Sequence, residues 1–424
     1  MNLRIEGTVA TGFESIRRLY ERNMHTLAEE NTQLCIYVGE ECVVDLWATA
    51  IGDSSFNGDS LVNVFSSGKS LESILLAMLC DRGLLNYDDK IVEYWPEFGK
   101  NNKTEVTVAD LMRHEAGLAA FDTSLDPNAL LAEKLRANSV APTIEKQKQN
   151  FRVGLGKERE YHAVTRGWIA NELFRRVETN GRTMGQFLRE EISEPLNLDV
   201  YIGLRDAELG RVSQVKVLGI FFQLAQGFIP KIFGRKIELN IGQMCTRLIQ
   251  LAMAMRDRTN KGAPRPLTGS VTLSLFDSPT FCKGETPSAG AKCSARGLAK
   301  LAAALANGGV LQKHRVLSEA AHTELHAKPI KRDMTFMNTT FSQGGVALFP
   351  QSDSKDSQWD TQLNCGREGY AGWLGLGGSI FQWHLEHKIG FAYVPTSLHV
   401  LDLVNERGKA YQAEAIKCVK NSKG

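Results

Sequence analysis

Apolar positions recur along this chain with two different periods, and the switches between them mark out its elements. Phe13, Ile16, Leu19, Tyr20 and Met24 follow helical spacing, so the chain is expected to open with an amphipathic helix. Residues 33–38 and 42–47 are short β-prone runs divided by Gly39-Glu40-Glu41, the pattern of a hairpin. Four patterned helices follow. The first sets Leu71, Ile74, Leu75, Met78 and Leu79 on one stripe and stops near Gly83, a glycine suited to the position just past a helix end. The second carries Ile169, Leu173, Phe174 and Val177. The third starts at Thr183 with Gln186 three residues on, the spacing of a capping box. The fourth carries Leu298, Leu301, Ala302 and Leu305 and ends at Asn307-Gly308-Gly309. Strand character returns in residues 379–385 and 389–394, around Glu386-His387-Lys388. A last helix then carries Val404, Tyr411, Ala415, Ile416 and Val419.

Strands at both ends with helices between them predict an α/β (α+β) chain forming one unit over residues 1–424. Its sheet lobe would come from residues 1–65 and 285–424, and a mainly helical lobe from 66–284. Residues 205–265 have the least regular pattern and read as an insertion. Within them, Leu218-Gly219-Ile220-Phe221-Phe222 is expected to pack into the helical lobe, the other reading being an apolar wall or lid over a cleft.

The 424 residues are 43% hydrophobic and 23% charged, as in a soluble globular protein. A net charge of +2 supplies no bulk field toward nucleic acid or an anionic membrane. Eight scattered cysteines with no C-x-x-C pair read as free thiols in a reducing compartment, not as a disulfide framework or paired zinc ligands. The first thirty residues hold no apolar signal region, and the most apolar stretch, residues 217–229, is about half a membrane span. The expectation is a cytoplasmic protein with no integral membrane segment, no nucleic-acid partner and no cofactor.

Chemistry concentrates in Val64-Phe65-Ser66-Ser67-Gly68-Lys69-Ser70, which opens the first middle helix. Ser66 and Lys69 are three apart and share a face of the first turn. The positive end of the helix dipole, together with burial in a cleft, would hold the Lys69 amine neutral so that it can take a proton from the serine. The Ser66 N–H, unpaired at a helix start, is available to a developing oxyanion. Gly68-Lys69-Ser70 also imitates the tail of a phosphate-binding loop, but the glycine that loop needs five residues earlier is Asn63, so nucleotide binding is set aside. Tyr161 stands just before a patterned helix as a second proton-handling group, whose phenolate a neighbouring Lys69 would stabilise. The run from Gly372 to Ser379 lets a strand edge approach a substrate and offers the Leu376 N–H as a second oxyanion donor.

Taken together these segments resemble the serine hydrolases related to class C β-lactamases, penicillin-binding peptidases and family VIII carboxylesterases. The resemblance extends over nearly the whole chain. It includes Cys80-Asp81-Arg82-Gly83-Leu84-Leu85 running on to Tyr94-Trp95-Pro96-Glu97-Phe98, the segment from Val106 to Leu118, Tyr161-His162-Ala163-Val164, Glu194-Pro195-Leu196 and Leu376-Gly377-Gly378-Ser379, all in order. It implies a β-lactamase/transpeptidase-like fold, an antiparallel sheet flanked by helices with a helical lobe alongside, and acyl transfer through a serine ester. Ser66 would then be the nucleophile, Lys69 its activating lysine and Tyr161 the tyrosine base. Trp373, Gly375, Ala163 and His162 fall where substrate-binding residues are expected.

Two departures bear on the substrate. Ala163 stands where β-lactamases carry an amide-binding asparagine, and Trp373 where a basic or imidazole group is common. Loss of both polar anchors argues against β-lactam or D-Ala-D-Ala turnover and for an apolar ester or acyl group at the cleft edge. The expected activity is ester hydrolysis through an acyl-enzyme on Ser66. The alternatives are an acyltransferase, a β-lactamase or D-Ala peptidase on the same scaffold, and a non-catalytic scaffold protein. His322 and His326, four apart on a helix, lack the H-E-x-x-H pattern and are read as exposed side chains, with no metal site.

Overall fold

The β-prone runs after the first helix form a hairpin, the second and third strands of a nine-stranded sheet drawn from both ends of the chain. A computed structural model describes residues 3–153, 158–256, 262–269, 273–334 and 337–422. Strands β1 (Arg4–Val9), β2 (Asn31–Val38) and β3 (Glu41–Thr49) are N-terminal. Strands β4 (Ile330–Met334), β5 (Met337–Phe341), β6 (Ala347–Leu348), β7 (Tyr370–Leu374), β8 (Ile380–His384) and β9 (Ile389–Pro395) are C-terminal. They join in one nine-stranded sheet in the order β1-β3-β2-β9-β8-β7-β6-β5-β4, every pairing antiparallel.

Helices cover both faces of this sheet, and the strand residues divide between them with a period of two. On one face Phe381, Trp383, Ala392 and Val394 meet the stripes of α2 (Lys69–Asp81), α3 (Thr165–Val177) and α4 (Ala295–Ala306). On the other, Ile380, Ile389, Phe391 and Tyr393 pack with Ile16, Tyr20 and Met24 of α1 (Glu14–Thr26) and Tyr411, Ala415 and Val419 of α5 (Glu406–Ser422). This is the β-lactamase/transpeptidase-like arrangement the resemblance implies.

The cap signals act as the sequence implies. Gly83 adopts φ +68° just beyond α2, where Leu84 N–H reaches back to the Leu79 carbonyl and closes the helix end. Thr183 and Gln186 exchange the two bonds of a capping box at the head of Met184–Leu188.

Patterning missed the edges. Strand β1 is half exposed, β4 (IKRDM) carries three charges, and β6 is two residues long, so none shows an apolar alternation. Among the described residues, 205–265 contain the short helix Asp206–Leu209 and two longer ones, Ile220–Gly227 and Ile241–Arg256. Phe221 stands in water on the first of the longer two, not packed into the helical lobe. All eight cysteines are free thiols. Among the described residues, no helix is long and apolar enough to cross a membrane.

Candidate active site

Ser66 sits in a tight 3-10 turn, Phe65–Gly68, that feeds α2. The sequence had suggested the first turn of the α-helix itself. The difference matters, because residues three apart eclipse in a 3-10 turn and stack Ser66 over Lys69. The turn is entered through Phe65 at φ +46°, a conformation that costs a non-glycine residue energy. The buried Phe65 ring, 5.0 Å from that of Phe276, holds it there.

Lys69 is buried, and its amine has three partners: Ala163 O at 2.7 Å, Ser288 O at 3.0 Å and Ser66 Oγ at 3.4 Å. Burial pushes its pKa well below the ordinary lysine range, and the nearby Arg166 charge adds to the shift, while Glu72 opposes it. A neutral amine has two hydrogens and one lone pair. The two carbonyls can only accept, so they take both hydrogens, and the lone pair is left facing the Ser66 hydroxyl. The helix dipole is not needed to explain the neutral lysine; enclosure does it.

Tyr161 completes the cluster. Its ring lies 4.8 Å from Lys69 Nζ, and its hydroxyl accepts the Trp373 indole N–H at 3.0 Å. Burial raises the phenol pKa, although the bonds to Ser66 and Trp373 pull the other way. The resting tyrosine is therefore a protonated phenol.

Strand β7 and the loop after it form the opposite wall. Trp373 N–H donates to Ser70 Oγ at 3.0 Å, fixing β7 against α2. At Gly375 a Cβ would stand 1.9 Å from Ser379 Oγ and 2.4 Å from the Val64 carbonyl, so only glycine lets this loop touch the turn that carries Ser66. Leu376 follows at the cleft mouth, with its side chain partly exposed. Asn405 clasps the loop from behind, donating to Gly375 O at 3.1 Å and Ser379 O at 2.9 Å. Arg407, buried and ion-paired with Glu29, donates to the Gly377 carbonyl.

A second network steadies Lys69 from below. Arg166 donates to Glu72 at 2.7 Å, to Lys69 O at 2.8 Å and to Met112 O at 2.9 Å, with both charged side chains fully enclosed. Ser288, whose carbonyl accepts from Lys69, gives its hydroxyl proton to Glu72 and accepts from Gly167 N–H.

Three of the expected substrate contacts change in character. His162 is fully buried; its Nδ1 bonds Glu160 O, and its Nε2 accepts from Leu118 N–H, so both ring nitrogens serve the loop that carries Tyr161 and none faces the cleft. Enclosure lowers its pKa to about 3, which keeps the imidazole neutral. Trp373 is only 9% exposed, in an aromatic group with Phe341 and Phe349, and its indole N–H is committed to Tyr161. Gly375 acts through the approach it permits. Ala163 alone of the four is well exposed, and its carbonyl accepts from Lys69. His322 and His326 are not exposed: His322 bonds Leu305 O, and His326 lies between His322 O and the Trp383 indole. Sequence reasoning missed Ser288, Glu72, Arg166, Asn405 and Arg407. Each lies outside the motifs and is recruited by the fold.

Comparison with known proteins gives the family. The beta-lactamase family model matches residues 16–414. Over 303 residues the chain is 31% identical to a protein named Esterase/beta-lactamase LipL from Mycobacterium tuberculosis (strain H37Rv). That match takes in 69% of this chain and spans 62% of the relative's length. Among solved structures it is similar to a penicillin-binding protein homologue from Caulobacter crescentus, with a TM-score of 0.74, 26% identity, and 98% and 100% of the two chains covered. It is also similar to a family VIII carboxylesterase, with a TM-score of 0.76, 25% identity, and 98% and 100% coverage.

Proposed function

The chain belongs to the beta-lactamase family, and from that premise we propose that it is a serine hydrolase that cleaves small-molecule carboxylic esters through an acyl-enzyme on Ser66. The observation that carries this reading is the Lys69 amine, enclosed, held by two carbonyls and 3.4 Å from Ser66 Oγ. Likeness to a family VIII carboxylesterase and to an esterase/beta-lactamase supports esters as the substrate class.

Ser66 Oγ attacks the acyl carbon as its proton passes to Lys69. The carbonyl oxygen gathers negative charge between the N–H groups of Ser66 and Leu376. As the C–O bond breaks, the leaving alkoxide takes the Tyr161 phenolic proton. The Trp373 N–H steadies the phenolate until the Lys69 ammonium restores its proton. Water then repeats the sequence on the acyl-enzyme: it loses a proton through the same groups, releases the acid and returns Ser66 to its hydroxyl form. The methyl of Ala163 leaves a substrate amide without the partner an asparagine would give, which favours esters over β-lactams.

A panel of p-nitrophenyl and alkyl esters of increasing chain length, run beside a chromogenic cephalosporin, tests this. The expected result is ester turnover well above cephalosporin turnover, abolished by Ser66→Ala. Turnover that survives Ser66→Ala, or no turnover of any ester, would overturn it.

A further inference from the structure

From Lys216 to Arg256 the chain leaves the catalytic body as the helices Ile220–Gly227 and Ile241–Arg256, which stand on a small core of Ile237, Leu239, Met244 and Leu401. The outer side of this excursion is apolar. Phe221, Phe228, Ile232 and Phe233 are 84%, 71%, 85% and 74% exposed. Phe221 and Phe228 lie seven apart, on one face of the first helix, and Ile232 and Phe233 follow in the next turn. Single exposed apolar side chains are ordinary, but four this exposed within thirteen residues mark a surface built to be covered.

Charge identifies what covers it. Residues 216–256 contain six Lys or Arg and one Glu, in a chain whose net charge is only +2. Glu238 pairs with Lys231 at 2.6 Å, Glu30 with Lys216 at 2.6 Å and Asp402 with the buried Arg247 at 3.6 Å, so the cations beside the apolar tips are Arg235 and Lys236. Arg235 gives its N–H groups to the carbonyls of Ile237 and Glu238, which leaves its charge uncancelled by those bonds. A second copy of this chain would bring the same basic segment face to face with itself, which opposes self-association. Aromatic and aliphatic tips flanked by Arg235 and Lys236 suit the interface of an anionic bilayer.

We propose that the 216–256 excursion docks this protein on an anionic lipid surface. Phe221, Phe228, Ile232 and Phe233 enter the boundary between headgroups and acyl chains, and Arg235 and Lys236 meet the lipid phosphates. The absence of a bulk field in the composition does not oppose this, because the charge is local. The root of the excursion lies against the catalytic loop: Lys216 and Val217 pair with Ser397 and Leu398, and Leu398 packs under Gly377. Docking does not depend on the chemistry at Ser66.

Co-sedimentation with vesicles of phosphatidylcholine alone, and of phosphatidylcholine with phosphatidylglycerol, tests the docking for the wild-type chain and for Ser66→Ala. Both proteins are expected to partition onto the phosphatidylglycerol vesicles and to come off as salt is raised. The triple variant Phe228→Ser, Ile232→Ser, Phe233→Ser should fall to background with an unchanged melting temperature, since these side chains pack on little. Arg235→Gln and Lys236→Gln should each weaken binding about fivefold. Three results would overturn the proposal: no partition onto either vesicle, partition that the triple variant leaves unchanged, or a concentration-dependent dimer, without lipid, that the triple variant abolishes.

Discussion

The Trp373 indole N–H lies 3.0 Å from the Tyr161 hydroxyl, and Trp373→Phe removes that donor while keeping a ring in the aromatic group. Against a neutral phenol the bond is worth about 1 kcal/mol net; against a developing phenolate it is charge-assisted and worth roughly 2–3 kcal/mol. Only the difference, about 1–2 kcal/mol, accelerates the chemical step, and at 1.36 kcal/mol per decade its middle corresponds to roughly a tenfold loss of kcat. KM should hardly move, because the indole is nearly buried and its N–H faces the phenol. The smaller ring also leaves a space beside Phe341 and Phe349, costing about 1–3 kcal/mol of stability that urea unfolding reads separately. The discriminating assay compares leaving groups. An alkyl ester expels an alkoxide that needs the Tyr161 proton, so the full tenfold loss is expected there. A p-nitrophenyl ester expels a stable phenolate and should lose much less. Equal losses for the two esters, or a change in KM alone, would refute the role given to the indole.

Three further outcomes follow from the same geometry. Enclosure lowers the Lys69 pKa and raises that of Tyr161, so kcat/KM should fall as pH drops through a point well below the free-lysine value and, on the alkaline side, only where the raised tyrosine ionises. A pH–rate profile that climbs only near the ordinary lysine value of about 10.4 would contradict the neutral amine. Asn405→Ala removes two donors from the Gly375–Ser379 loop; it should cost about 1–3 kcal/mol in urea unfolding and slow alkyl and p-nitrophenyl esters alike, since it loosens the oxyanion side of the cleft. Glu72→Gln leaves the Arg166 guanidinium enclosed without its countercharge and should destabilise the fold by about 3–5 kcal/mol; a loss below about 1 kcal/mol would mean the pair is not what holds Arg166 in place.

Periodicity made the central elements legible because their burial is one-sided and strong. The stripe Leu71–Leu79, the Thr183–Gln186 box and the two late strands all follow from where apolar side chains must go. The edge strands escaped because an exposed strand carries charges, as β4 does, and its pairing is then fixed by neighbours and not by its own pattern. The site divides in the same way. Ser66, Lys69 and Tyr161 could be read because their chemistry is written in adjacent motifs. Ser288 supplies only a carbonyl and a hydroxyl, and any residue type can supply the carbonyl, so nothing in its identity announces it. His162 shows the opposite error: proximity to Tyr161 in sequence suggested a place in the cleft, yet its two backbone bonds turn the ring into the interior.

The account rests on Ser66 as the atom that is acylated. Treating the wild-type protein with a fluorophosphonate probe and mapping the labelled peptide by mass spectrometry tests this most directly. One adduct is expected, on Ser66, absent from Ser66→Ala and formed orders of magnitude more slowly in Lys69→Ala. An adduct on any other residue, or labelling of Ser66→Ala at the wild-type rate, would contradict it.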